Sequence, residues 1–298
     1  MVGSREEKEF FMRVLVIGAG GYLGSAVTER LSSLGHDIVV LTRSGKAAGD
    51  YETRTGDLTD PASLTAAVTP DIDAVVNLAT PSGDQAVDTA AITALTDPLR
   101  GTGKSFVYTS GVWVLGATAA ADETSPANPI PIVGYRPTIE QQVLELADEG
   151  VRSAVIRPGI VYGRGGGIPA LLVDLARKHE SPVVIADPSV VWPMVHVDDL
   201  ADLFAKVIDA SPAGSVWHAI TQPAVPVSDL AAAASHAAGV SGPTTIIPLD
   251  QARVDLGELF ADALALSQSV TGRAANEHLN WEPKAPTAIA DLSTGSYR

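Results

Sequence analysis

Apolar residues in this chain alternate between two patterns. Short unbroken runs, VLVI at 14–17, IVVL at 38–41, AVVNL at 74–78, FVYT at 106–109 and SAVI at 153–156, read as strands buried on both faces. Between them, apolar positions recur at helical spacing, as in Leu23, Val27, Leu31 and Leu34, or Ile139, Val143, Leu144 and Leu146. The pattern predicts strands over 14–17, 38–44, 53–57 (weakly), 74–78, 105–111 and 153–163. Helices are expected up to Gly35, after an Asp60-Pro61 cap, and over 84–99, 135–149, 171–178, 201–210 and 227–239. Residues 117–133 read as a loop, the glycines at 165–167 as a mobile loop, and Asp198 as the cap of the helix that follows it. Short strands are expected at 183–185 and 215–220, one or two helices within 248–269, and a last helix opened by Pro283 and Pro286. Strands alternating with helices at this interval imply an α/β fold with a doubly wound parallel sheet, whose ligands sit at the carboxyl ends of the strands.

The first strand runs directly into Gly18, Gly20, Gly21 and Gly24, and from there into the first helix. Glycine lets the turn take positive φ and lets backbone approach a pyrophosphate, which the open amides and dipole of the helix N-terminus stabilise. The spacing is Gly18-x-x-Gly21-x-x-Gly24, because the third glycine of the strict dinucleotide fingerprint would fall on Leu23. At the end of the second strand, where an acidic residue would bond the ribose 2′-hydroxyl of NAD, the chain has Arg43 followed by Ser44. A guanidinium suits the 2′-phosphate, so NADP(H) is favoured over NAD(H).

Charge and composition narrow the partners. A formal net charge of −15 with no basic patch argues against nucleic acid and against anionic membrane surfaces, leaving a small-molecule substrate. The absence of cysteine excludes disulfides, thiolate metal ligands and cysteine nucleophiles, and it fits a reducing, cytoplasmic setting. No apolar run is long enough to span a bilayer, and the histidines show no metal-ligand spacing, so no metal is expected. His196 reads as a hydrogen-bonded scaffold residue. Residues 1–11 read as an N-terminal extension to a dinucleotide-binding core over 12–163. A mixed region over 164–298 follows, with a smaller substrate-binding part and the last core elements at 196–220.

Seven separated pieces now line up: VIGAGGYLG at 16–24, TGDL at 55–58, NLA at 77–79, FVYTSGVWVLG at 106–116, RPGIVYG at 157–163, HVDDLA at 196–201 and LNWEP at 279–283. Together they resemble the extended short-chain dehydrogenase/reductases of the NAD-dependent epimerase/dehydratase family, over essentially all of 12–298. The resemblance implies a Rossmann-type sheet with a smaller C-terminal substrate-binding region. It puts pyrophosphate contacts on Gly18, Gly21 and Gly24, an adenine contact on Asp57, and the cofactor and substrate cleft on the segment from Pro158 through Gly159 and Ile160 to Tyr162. The turn and the strand ends add Gly20, Tyr22, Leu23, Arg43, Ser44, Leu58, Leu78 and Ala79 as expected cofactor contacts. It also implies a homodimer through the helices near 84–99 and 135–149.

The catalytic unit of that family is a Ser or Thr with a YxxxK pair, in which tyrosine moves the proton and lysine favours the phenolate. Here Tyr135 is present but Ile139 stands at the lysine position, and the serine position falls on Gly111. Thr109 and Ser110 remain as displaced candidates. Arg136 would supply charge only if it turned inward. Trp113, Trp192 and Tyr162 are candidate pocket walls. The first reading is an NADP(H)-dependent oxidoreductase or epimerase-like enzyme acting on a small carbonyl or hydroxyl compound, with a degenerate Ser-Tyr-Lys unit. The competing reading is a non-catalytic NADP(H)-binding sensor. The C-terminal segments carry no basic cluster suited to a sugar-nucleotide diphosphate.

Overall fold

The expected core runs all become strands in the computed structural model, which describes residues 11–46 and 49–298. In chain order the strands are β1 (Arg13–Ile17), β2 (Asp37–Thr42), β3 (Glu52–Thr55), β4 (Ala74–Asn77), β5 (Ser105–Thr109), β6 (Thr118–Ala121), β7 (Arg152–Pro158), β8 (Ile160–Tyr162), β9 (Val183–Ile185), β10 (Val191–His196), β11 (Ser215–Ala219), β12 (Gln222–Pro226), β13 (Thr245–Ile247) and β14 (Gln268–Val270). The helices are α1 (Tyr22–Ser33), α2 (Pro61–Ala67), α3 (Gln85–Thr96), α4 (Arg136–Glu145), α5 (Gly167–His179), α6 (Val197–Ala210), α7 (Val227–Ala237), α8 (Leu249–Leu256), α9 (Glu258–Leu264), α10 (Ala274–Leu279) and α11 (Ala288–Thr294).

Seven strands pair in parallel in the order β11-β7-β5-β4-β1-β2-β3. Side chains alternate across a strand, and here both faces are covered, which is why the runs are unbroken. Val14, Val16, Val40, Val76, Val107 and Ile156 pack on one face with α1 and α6. Leu15, Ile17, Val39, Val75, Phe106 and Val155 pack on the other with α2, α3 and α4. A second cluster, with Trp192, Met194, Leu230 and Leu292, holds the C-terminal elements around the three-stranded sheet β12-β10-β8. β11 returns to the edge of the central sheet beside β7.

Several local expectations are corrected. The 153–163 run breaks at Gly159, where a Cβ would stand 2.5 Å from the Pro193 carbonyl oxygen, and the chain passes from β7 in the large sheet to β8 in the small one. Within 117–133, β6 forms despite its TAAA sequence because β14 pairs with it. The glycines at 165–167 are pinned, with the Gly165 amide donating to Ser296 Oγ at 2.9 Å and α5 starting already at Gly167. Asp198 is not the cap of α6; His196 Nδ1 accepts from the Asp198 amide at 3.1 Å, so the histidine fills that role. Asp199 instead accepts the amides of Lys284 and Ala285 and fastens the C-terminal segment. Residues 1–10 of the expected extension lie outside the described residues.

Candidate functional site

The turn between β1 and α1 is shaped by what its glycines lack. Gly18 has φ +83°, and a Cβ there would lie 2.8 Å from the Leu78 and Ala79 backbone, so the turn lies directly against the end of β4. At Gly24 a Cβ would stand 2.0 Å from the Gly18 carbonyl oxygen, so α1 packs on the turn backbone to backbone. The Gly21 amide closes the turn on Gly18 O at 3.0 Å. Gly21 also caps α1 with no side-chain acceptor, and the first turn holds no acid. The positive end of the helix is thus left for an external anion. Tyr22 and Leu23 have only backbone to offer that anion. The Tyr22 hydroxyl donates to Gly163 O at 2.8 Å, and the Leu23 side chain packs on the sheet core.

A cavity of about 820 Å³ opens from this turn along the carboxyl ends of β1, β2 and β4. Gly18, Gly20, Gly21, Arg43, Asp57, Leu58, Leu78 and Ala79 line it, together with Thr28, Thr42, Lys46 and Ser82. The buried hydroxyls of Thr28 and Thr42 have no hydrogen-bond partner in the protein. Arg43 and Lys46 are exposed on the same rim. The Asp57 carboxylate accepts the Thr59 amide at 2.8 Å and the Thr59 hydroxyl at 2.7 Å. These bonds, and then Arg43 nearby, hold its pKa below the usual carboxylate range. An open helix end, orphaned hydroxyls and two cations fit a phosphorylated dinucleotide. Ser44 sits outside the cavity in a turn, accepting the Lys46 amide. Pro158, Gly159 and Ile160 also lie outside it, because Gly159 abuts Pro193 and Ile160 is buried in the C-terminal cluster.

Beyond Ser82, the carboxyl end of β5 faces the start of α4. Thr109 and Ser110 are 9% and 6% exposed, and neither hydroxyl has a partner. The Tyr135 hydroxyl donates to Asp88 Oδ2 at 2.7 Å, while Asp88 Oδ1 accepts the Ser82 amide at 3.0 Å. Burial, then the bond to Asp88 and its charge, push Tyr135 up to about 12, so its phenol stays protonated at neutral pH. Ile139 is fully buried in the core between helix and sheet.

The charged stripe of α4 lies one residue over, at Arg136 and Glu140. Glu140 is 2% exposed and takes the Arg157 guanidinium in a fork, with Nε donating to Oε1 at 3.0 Å. Arg136, one turn earlier on the same side, turns inward and donates to the Thr109 carbonyl at 3.3 Å. Trp192 and Tyr162, candidate pocket walls, are core residues at 2% and 1% exposure. Trp113 meets Phe260 edge-on. Sequence reasoning passed over Asp88, although its spacing to Ala91, Ile92 and Leu95 marks an acid on a buried helix face. Lys46, Thr28 and Thr42 carried no local signal.

A sequence model of the NAD dependent epimerase/dehydratase family matches residues 14–219. An uncharacterized protein of Saccharomyces cerevisiae is 28% identical, over 94% of this chain and 98% of its own. The human epimerase family protein SDR39U1 is 26% identical, over 70% of this chain and 74% of its own. Its crystal structure with NADPH superposes with a TM-score of 0.79 at 22% identity, over 96% of this chain and 99% of that one. The Thermus thermophilus UDP-glucose 4-epimerase in complex with NAD gives 0.77 at 21% identity, over 96% and 99%. With most of its length matched to the family pattern on a seven-stranded parallel sheet, the chain belongs to the NAD dependent epimerase/dehydratase family.

Proposed function

We propose that this chain is an NADP(H)-dependent oxidoreductase or epimerase-like enzyme acting on a small carbonyl or hydroxyl compound. One observation carries the reading: a single cavity joins the open glycine turn to a rim bearing Arg43 and Lys46. A guanidinium and an ammonium there favour a 2′-phosphate, whereas an NAD site would present a carboxylate to the ribose. The NADPH bound by human SDR39U1 supports the same preference. When bound, the nicotinamide supplies or takes a hydride. The chain holds the pyrophosphate at the start of α1 and offers the unpartnered hydroxyls of Thr109 and Ser110 to a substrate oxygen. Tyr135 gives its one phenol proton to Asp88, so its oxygen serves a substrate hydroxyl as an acceptor. The cysteine-free, acidic composition supports a cytoplasmic setting.

The same tie, with Ile139 in the core where a lysine would stand, favours a second reading as an NADP(H) sensor without turnover. Calorimetry followed by NADPH oxidation across a carbonyl panel separates the two. NADPH is expected to bind more tightly than NADH. Arg43→Ala should weaken NADPH by about tenfold or more, the worth of one charge-assisted contact, with NADH unchanged. Oxidation of NADPH by any carbonyl compound supports the enzyme, and tight binding with none supports the sensor. Tighter binding of NADH than NADPH would remove the role given to Arg43.

A further inference from the structure

Arg136 is an anomaly in a chain with 35 acidic and 20 basic residues. Eight described arginines are paired with carboxylates. Arg43 lines the cofactor cavity, Arg152 binds carbonyls at the end of α6, and Arg273 and Arg298 are exposed. Arg136 is half-buried, and among the described residues its one hydrogen-bond acceptor is the Thr109 carbonyl at 3.3 Å. Among the described residues Arg136 makes no ion pair; the nearby Asp88 spends its oxygens on the Tyr135 hydroxyl and the Ser82 amide and keeps its charge there.

A second side chain lies at the same spot. Ser110, next to the carbonyl that Arg136 reaches, is 94% buried and its hydroxyl has no partner. The N-terminus of α4 adds no donor of its own, since Pro137 lacks an N–H and the Thr138 amide is bonded to the Tyr135 carbonyl at 3.0 Å, so the receptor rests on the two side chains. A planar cation and a buried hydroxyl donor together make a receptor for a negative group. One fork matches a carboxylate in charge and shape, whereas a diphosphate would call for more than one cation.

We propose that Arg136 and Ser110 hold a carboxylate carried by the substrate, so that the compounds taken are small carbonyl or hydroxyl acids. This rests on the functional reading above. It also explains why a buried isoleucine is tolerated at the lysine position: the cation of this site, Arg136, stands three residues before Ile139 on α4 and serves binding.

The test is calorimetric titration of pyruvate and of its neutral counterpart, hydroxyacetone, into the protein with and without NADPH. Pyruvate is expected to bind about tenfold or more tightly than hydroxyacetone, the difference that one charge-assisted fork makes. Arg136→Met should abolish that preference, Arg136→Lys should keep part of it, and NADPH affinity should stay within about twofold in both variants because neither touches the dinucleotide cavity. Equal affinity for the two compounds, or an undiminished preference in Arg136→Met, would overturn the proposal. Failure of NADPH to bind the unaltered protein would instead defeat the cofactor reading, and the titration without NADPH would still decide the role of Arg136.

Discussion

Two glycines of the same turn do different work, and alanine substitution separates them. At Gly24 the added methyl would collide with the Gly18 carbonyl at 2.0 Å, and both partners are backbone that cannot swing aside. Gly24→Ala should therefore push α1 off the turn, lower stability by about 1–3 kcal/mol as overpacking does, and weaken NADPH binding with it. At Gly20 an added methyl meets no protein atom within 4 Å, yet the residue lines the cavity. Gly20→Ala should keep stability within about 0.5 kcal/mol of the parent, as surface changes do, while still weakening NADPH by occupying the space its phosphates need. Thermal unfolding and calorimetry on the pair check both halves. A Gly20→Ala protein that binds NADPH as the parent does would show that the dinucleotide does not approach this side of the turn.

At the scale of elements, the C-terminal segment fastens the entry to α5. The Tyr297 hydroxyl accepts the Gly163 amide at 2.8 Å and donates to Gly166 O at 2.7 Å. Ser296 and Asp291 extend this hold, and the Tyr22 hydroxyl grips Gly163 O from α1. Tyr297→Phe removes both phenol bonds at once and should cost about 1–3 kcal/mol, with faster hydrogen exchange at the Gly163 amide. An unchanged exchange rate there would mean that the loop is held without this segment. None of this was legible in the sequence, because Tyr297 and its partners are separated by more than 130 residues. The core strands were legible because burial on both faces leaves an unbroken apolar run that needs no partner to be recognised. The glycine turn was legible for a similar reason, since strand, turn and helix are contiguous. The rotation of α4 was hidden: Tyr135 and Ile139 invite comparison with a motif, while the stripe that faces the sheet with charge is Arg136 and Glu140. Asp198 resembled a cap by residue type, but α6 starts one residue before it, and the His196 ring at the end of β10 takes the amide of Asp198 itself.

For the molecule as a whole, a buried histidine on the edge strand β11 sets a pH dependence opposite to the one expected from net charge. With 15 excess negative charges, mild acidification relieves self-repulsion and favours the folded state. His218 works against this. It is fully buried on β11, in register with Arg157 on β7, with Nδ1 donating to the Thr271 carbonyl at 3.1 Å and Nε2 without a partner. Burial lowers its pKa to about 4; the Arg157 charge adds to that, while the Thr271 carbonyl and Asp122 pull the other way. In the unfolded chain the imidazole titrates near its ordinary value of about 6.5. Between these two values the unfolded state binds a proton that the folded state refuses, so stability falls as pH drops through that window and levels off below it. The full effect is on the order of 3 kcal/mol. His218→Gln keeps a donor for Thr271 and removes the titration. Urea unfolding of parent and variant from pH 7.5 down to 4.5 should give a stability difference that shifts progressively in the variant's favour below about pH 6.5. Repulsion among the carboxylates is common to both proteins and cancels in that difference. If the two curves run parallel instead, the imidazole takes up its proton inside the folded sheet, and the Nε2 side of His218 must be reached by water or by a carboxylate that the fold brings to it.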